Sequence, residues 1–165
     1  MSWTIREERE GDSGAIREVL ERAFADHAHS DGIEPDLVEQ LRRDRTPMLA
    51  LVAEEEGAIL GHITFSPVTI ADGSQGWYGL GPLAVLSERQ RGGIGSALCE
   101  AGLARLRKEG ASGCLVLGDP AYYRRFGFVR DQEMLFPGAP AEYFQRVMFN
   151  GEPPRGNVRY APAFG

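Results

Sequence analysis

Apolar residues recur along this chain of 165 residues with two spacings, and a change of spacing marks a change of element. Trp3 to Glu7 alternates apolar and polar positions and predicts a first strand. Asp12, with Ser13 beside it, offers an N-cap for a helix whose apolar positions Ile16, Val19, Leu20 and Ala23 fall three and four residues apart. A second helix follows Pro35, a residue suited to N1, with Leu37, Val38 and Leu41 on one face. Met48–Ala53 and Ile59–Ile70 read as strands joined by the Glu54-Glu55-Glu56-Gly57 turn, a hairpin. The next strand is Trp77–Leu86, interrupted by Gly81 and Pro82. A long helix follows over Ile94–Lys108, with Ile94, Ala97, Leu98, Ala101 and Ala104 as its buried face and Gly110 at its end. Cys114–Leu117 reads as a short strand, Pro120–Phe126 as a short helix and Phe128 onward as a strand. The last third is rich in Pro and Gly and carries one more strand, at Tyr143–Phe149.

The resulting order, β-α-α-β-β-β-α-β-α-β, places the chain in the α/β (α+β) class, with a mixed sheet and flanking helices. Strand, helix and strand around residues 80–117 form a βαβ unit, so those two strands should be parallel with a right-handed crossover. No repeat, linker or low-complexity run interrupts the sequence, and one domain over 1–165 is expected. That length allows a domain to bury roughly 70% of its unfolded surface.

Composition narrows the function more by exclusion. The net charge is −6, from 18 basic and 24 acidic residues. Nucleic-acid binders show a basic stripe. Here the nearest approach, Arg42-Arg43-Asp44-Arg45, is short, interrupted and better read as a solvated helix end. An acidic surface mildly favours a cationic substrate. No run approaches the 18 or so apolar residues of a membrane span, and Met1–Glu8 has no signal-peptide core, which predicts a cytoplasmic protein. Cys99 and Cys114 lie in apolar contexts and read as reduced, buried thiols. His27, His29 and His62 are too scattered to predict a metal site.

The chemistry concentrates in Leu83–Leu98, where an apolar strand passes through Gln90-Arg91-Gly92-Gly93-Ile94-Gly95 into a helix. Such a turn gathers unpaired backbone N–H groups at the positive end of a helix dipole, a site for phosphate. Glycines at 92, 93 and 95 let a pyrophosphate approach the backbone, and Arg91 adds a cation. A nucleotide P-loop would need a lysine after its last glycine, but Gly95 is followed by Ser96-Ala97. A dinucleotide fingerprint would need a third glycine where Leu98 stands. A plain glycine-rich turn is the remaining alternative.

Gln90, Gly93 and Gly95 match the Q/R-x-x-G-x-G/A signature, and the turn resembles that of the GNAT superfamily of N-acetyltransferases. The blocks Gly61–Pro67, Gly79–Val85, Val116–Phe128 and Gly156–Tyr160 resemble one branch of that superfamily in the same order, over nearly the whole chain. Ser87 departs from the proline often found there. The resemblance implies the acetyltransferase fold, its sheet splayed at the Gly81-Pro82 bulge. It also implies acetyl-CoA as co-substrate, with no metal. The cofactor would be held at Leu83, Ala84, Val85, Gln90, Arg91, Gly92, Gly93, Ile94, Gly95 and Ser96. Read from the residues alone, Pro82 cannot donate to a ladder and Gly81 tolerates unusual backbone angles, so the ladder breaks there; a proline-tolerant edge strand is the alternative. In the family the gap takes the pantetheine arm, and a main-chain N–H there polarises the thioester carbonyl.

The resemblance also implies that Tyr123, four residues before Gly127 in Tyr123–Phe128, is the general acid that returns a proton to the departing thiolate. A phenol of pKa about 10 suits a thiol of about 8.5. Tyr122 competes for the role. No base is named. Glu34, Asp36 and His62 are candidates, and the need is real: deprotonating an amine of pKa about 10.4 at pH 7 costs about 4.6 kcal/mol. The expected function is transfer of an acetyl group from acetyl-CoA to a primary amine, on a small molecule or a peptide, by direct attack in a ternary complex. A non-catalytic acyl-CoA-binding sensor or regulatory module is the alternative. No nucleic-acid or membrane partner is expected, and a second copy of the chain is a candidate partner.

Overall fold

A computed structural model describes residues 2–25 and 34–164. They fall into two compact units, one from 1–65 with 82–102 and one from 66–81 with 103–165.

In the first unit β1 (Thr4–Glu7) pairs antiparallel with β2 (Leu49–Glu55), and β2 with β3 (Ala58–Pro67). The expected hairpin closes through Glu56 and Gly57, both at positive φ. α1 (Ser13–Phe24) buries Ile16, Val19 and Leu20, and α2 (Glu34–Arg43) buries Pro35, Val38 and Leu41. Asp12 stands at the N-cap of α1, but its carboxylate makes no cap bond to that helix. It accepts instead from the Arg9 N–H at 2.7 Å and from the Arg6 guanidinium at 2.8 and 3.1 Å. A buried-facing cation outbids the helix for a carboxylate able to reach both.

α3 (Ile94–Lys108) starts in the first unit. Its inward face is Ile94, Leu98, Cys99, Leu103 and Leu106, and Ala104 is exposed. The helix is therefore turned from the expected alanine stripe, because leucines bury more apolar area than alanines do. Gly61 makes the approach to β3 close: a Cβ there would lie 3.1 Å from both Ile94 Cγ2 and Leu98 Cδ1. Farther along, the Phe65 ring packs against Gly102, in space that a side chain would occupy.

In the second unit the part of β5 (Trp77–Val85) up to Leu80 runs parallel to β6 (Gly113–Leu117). β9 (Phe144–Met148) is antiparallel to β6 and to β7 (Val129–Arg130). The parallel β5–β6 pair is the one the βαβ reading expects. A smaller sheet has the order β4 (Thr69–Ile70), β10 (Gly156–Arg159), β8 (Met134–Leu135). Val68, Ile70, Trp77, Leu115, Met134, Phe144 and Val158 form the core of this unit.

Three expectations are corrected. Ile59–Ile70 is two strands, because Pro67 lacks a donor and the Val68 N–H turns to the Trp77 carbonyl at 3.0 Å. The strand from Phe128 is only Val129–Arg130, with Phe128 itself a buried core residue. The tail forms β10, whose four residues Gly-Asn-Val-Arg carry too little pattern to announce a strand.

Candidate active site

After Pro82–Val85 the Leu86 N–H donates to the Leu60 carbonyl at 2.9 Å, a 3₁₀ turn covers Ser87–Arg89, and Gln90 leads into the glycines. The loop is fastened by its side chains. Gln90 Nε2 donates to the Val85 carbonyl at 3.1 Å, tying the signature glutamine back to the strand it leaves. Arg89 grips both oxygens of Glu55 at 2.7 and 3.2 Å, and Arg22 meets Glu88 at 2.6 Å. Arg91 and Gly93 take positive φ, +67° and +88°. Only glycine holds that conformation without strain.

The Ala97 N–H donates to the Gly93 carbonyl at 3.0 Å, so the helix ladder begins there. The N–H groups of the preceding turn have no acceptor within the helix. Arg91, Gly92 and Gly93 are exposed, and a Cβ on Gly93 would meet nothing within 4 Å. An exposed cluster of backbone donors at a helix N-terminus, with open space over it, fits a pyrophosphate. Ile94 and Ala84 are buried, so their side chains anchor the core and only their main chains remain for a ligand. Upstream, the pairing of β5 with β6 runs from Trp77 to Leu80, and Gly81 follows at φ +141°.

All ten expected cofactor residues lie in the first unit, and Tyr123 lies in the second. Tyr123 closes α4 (Pro120–Tyr123), whose start is fixed by Pro120 and by Asp119 accepting from the Ala121 N–H at 2.9 Å. The ring is partly exposed and packs edge-on against Phe128, centroids 5.9 Å apart. Gly118 makes room for it, since a Cβ there would lie 2.5 Å from Tyr123 Cε2. Tyr122 is engaged differently: the Arg125 guanidinium sits 4.5 Å above its ring, and Arg125 Nε donates to its carbonyl at 3.0 Å.

Of the three base candidates, Asp36 is exposed and paired with Arg17 at 3.0 Å, and Glu34 opens α2, where an acid suits the helix dipole. His62 is fully buried on β3, with Nε2 3.0 Å from Glu8 Oε1. Arg42 donates to both Glu8 oxygens, at 2.6 and 3.2 Å, so the supposed solvated helix end turns its first arginine inward. Burial pushes the Glu8 carboxyl up, but the hydrogen bonds from His62 and Arg42 and the charge of Arg42 outweigh that and hold its pKa at about 2. Neither the His62–Glu8 pair nor the Arg42–Glu8 pair is readable in the sequence, because 54 and 34 residues separate the bonded residues and no short-range pattern links them. Cys99 and Cys114 are both buried. His27 and His29 lie outside the described residues. Among the described residues no group of three or more His, Cys, Asp or Glu could hold a metal, and no helix is long and apolar enough to cross a membrane.

Known proteins resemble this chain in sequence and in fold. The acetyltransferase (GNAT) family matches residues 14–128. The N-acetyltransferase YhbS of Escherichia coli K12, itself uncharacterised, is 40% identical over 126 residues, which are 75% of this chain and 72% of that protein. A GNAT-family acetyltransferase from Brucella melitensis, solved with acetyl-CoA, superposes with a TM-score of 0.88 at 47% identity, covering 99% of this chain and 98% of that one. Escherichia coli YhbS, solved with CoA, also superposes with a TM-score of 0.88; identity over this longer alignment is 32%, covering 99% and 92% of the two chains. With the glycine loop at the start of α3 and these matches, the chain belongs to the GNAT family of acetyltransferases.

Proposed function

We propose that this protein transfers the acetyl group of acetyl-CoA to a primary amine of a small molecule or peptide, by direct attack within a ternary complex. The observation that carries this reading is the Gln90–Gly95 loop, laced to Val85 by Gln90 and open over Gly93 at the N-terminus of α3. Acetyl-CoA supplies a thioester whose carbonyl carbon is open to an amine. The main chain of Leu83 to Val85 aligns the arm, and an N–H there stabilises the charge that develops on the carbonyl oxygen. The N–H groups from Arg91 through Ser96 bind the pyrophosphate, and Arg91 lends a positive charge. The Tyr123 hydroxyl holds a proton for the departing sulfur. Cys99 and Cys114, both buried, fit poorly as acetyl carriers, which favours direct transfer. We also propose that the two units work as one domain, in the cytoplasm.

The test incubates the protein with acetyl-CoA and pooled amines (polyamines, aminoglycosides, amino acids, peptides with free N-termini) and follows free thiol. Amine-dependent release is expected. Tight binding with no release from any pool would make the chain a CoA-binding module.

A further inference from the structure

We propose that His62 is the general base of this transfer, its Nδ1 lone pair taking the proton of the attacking amine while Glu8 holds the ring through Nε2. The proposal rests on the acetyl-CoA reading above and deepens it.

The carboxylate of Glu8 only accepts, so the 3.0 Å contact places the ring proton on Nε2 and leaves Nδ1 as a bare lone pair. That nitrogen is buried and has no hydrogen-bond partner among the described residues. The hydroxyl of Thr64, two residues along the strand, is in the same state. Alternation along β3 puts both side chains on one face. Buried polar atoms are normally satisfied, and these exceptions, which Ser66 Oγ extends along the same strand, mark a place where a polar ligand completes the structure.

Position supports the role. Leu60 and Gly61 touch the strand that leads into the cofactor loop: the Leu60 carbonyl takes the Leu86 N–H, and a Cβ on Gly61 would lie 3.1 Å from the Ala84 carbonyl oxygen. His62 is the next residue. Gly61 faces Ile94 and Leu98 of α3, so His62 points from the other side of the sheet, away from the helix that receives the pyrophosphate. An amine attacking in a ternary complex needs that separate side.

The charges around the ring fit a base. Glu8 comes from the chain just after β1 and Arg42 from α2. Val52 lies directly across on β2, and Arg6 beyond it on β1 is held by Asp12 and Glu54. The segments Pro82–Val85 and Ile94–Leu98 contribute no titratable side chain. Glu8, ionised at every pH where transfer runs, stabilises the imidazolium as it forms. Nδ1 takes one proton from the ammonium form of the substrate and so frees the lone pair that attacks the thioester carbonyl; as the C–N bond forms, the nitrogen's second surplus proton leaves to solvent. The C–S bond breaks with its electron pair on sulfur, which takes a proton from Tyr123. His62 then releases its proton to solvent, and the tyrosinate recovers one.

The experiment measures kcat/KM against pH for two amines of different pKa, in the full chain and in His62→Gln and Glu8→Gln, with acetyl-CoA affinity followed by calorimetry. The wild type should bend at a pH that does not follow the amine. His62→Gln should lose that bend, fall about 10²-fold at pH 7 and climb tenfold per pH unit to the amine's own pKa, with acetyl-CoA affinity within about twofold. Glu8→Gln, which keeps an acceptor oxygen without the charge, should move the bend to lower pH. A readout independent of activity is the nitrogen-15 spectrum of the wild-type His62 ring, assigned by its loss in His62→Gln, which should show the proton on Nε2. A proton on Nδ1 overturns the proposal, and so does a His62→Gln profile that matches wild type. If His62→Gln fails to fold, the Glu8→Gln shift decides. A wild type that binds acetyl-CoA and acetylates no amine overturns the enzyme reading together with the base; an active wild type with an equally active His62→Gln overturns the base alone.

Discussion

Two adjacent tyrosines show how much a single position depends on its neighbours. Tyr122 lies under Arg125, while Tyr123 keeps a partly exposed ring over Gly118. Tyr123→Phe should therefore lower kcat about 10²-fold and leave acetyl-CoA affinity near wild type, and Tyr122→Phe should do much less. Reversed effects in steady-state kinetics would assign the acid to Tyr122. Glu8 carries a second prediction at this scale. Its pKa falls from 4.5 in the unfolded chain to about 2 in the fold, so its charge stabilises the protein fully above pH 4.5 and loses that effect as pH falls toward 2. Glu8→Gln should cost about 2 kcal/mol at pH 7, since a carboxylate bonded to two partners is lost. Melting curves for both proteins should converge as pH approaches 2; a constant difference down to that pH would contradict the assignment.

At the scale of elements, α3 sets two helix rules against each other. Gly102 interrupts the helix interior, and alanine there would add about 1 kcal/mol by propensity alone. The Phe65 ring occupies the space of the missing side chain, and overpacking a filled core costs about 1–3 kcal/mol. The steric effect should win, so Gly102→Ala should lower Tm by a few degrees, at about 2–4 °C per kcal/mol. A higher Tm would mean that Phe65 swings aside. The entry to the same helix is legible for the opposite reason. Gln90, Gly93 and Gly95 act on groups within a few residues, so their spacing alone announces the turn.

At the scale of the whole molecule the reading is one of linkage. Acetyl-CoA at 100 times its Kd should stabilise the fold by about 2.7 kcal/mol. Gly93→Val should abolish that shift in a thermal melt while the protein stays folded. The new side chain meets no neighbour, but the φ of +88° is one that a β-branched residue resists. A full shift in Gly93→Val would place the pyrophosphate elsewhere.

What the sequence determined by itself was local. The hairpin at Glu56-Gly57, the helices, the parallel βαβ pair and the glycine-rich turn before α3 all follow from patterns that span one element or one connection. The tertiary structure decided the rest: which face of α3 turns inward, where Pro67 ends a strand, how β10 joins Thr69–Ile70, and that Glu8, Arg42 and His62 meet. Those outcomes depend on packing area and on bonds between residues far apart in the chain, and neither hydrophobic period nor capping chemistry extends that far.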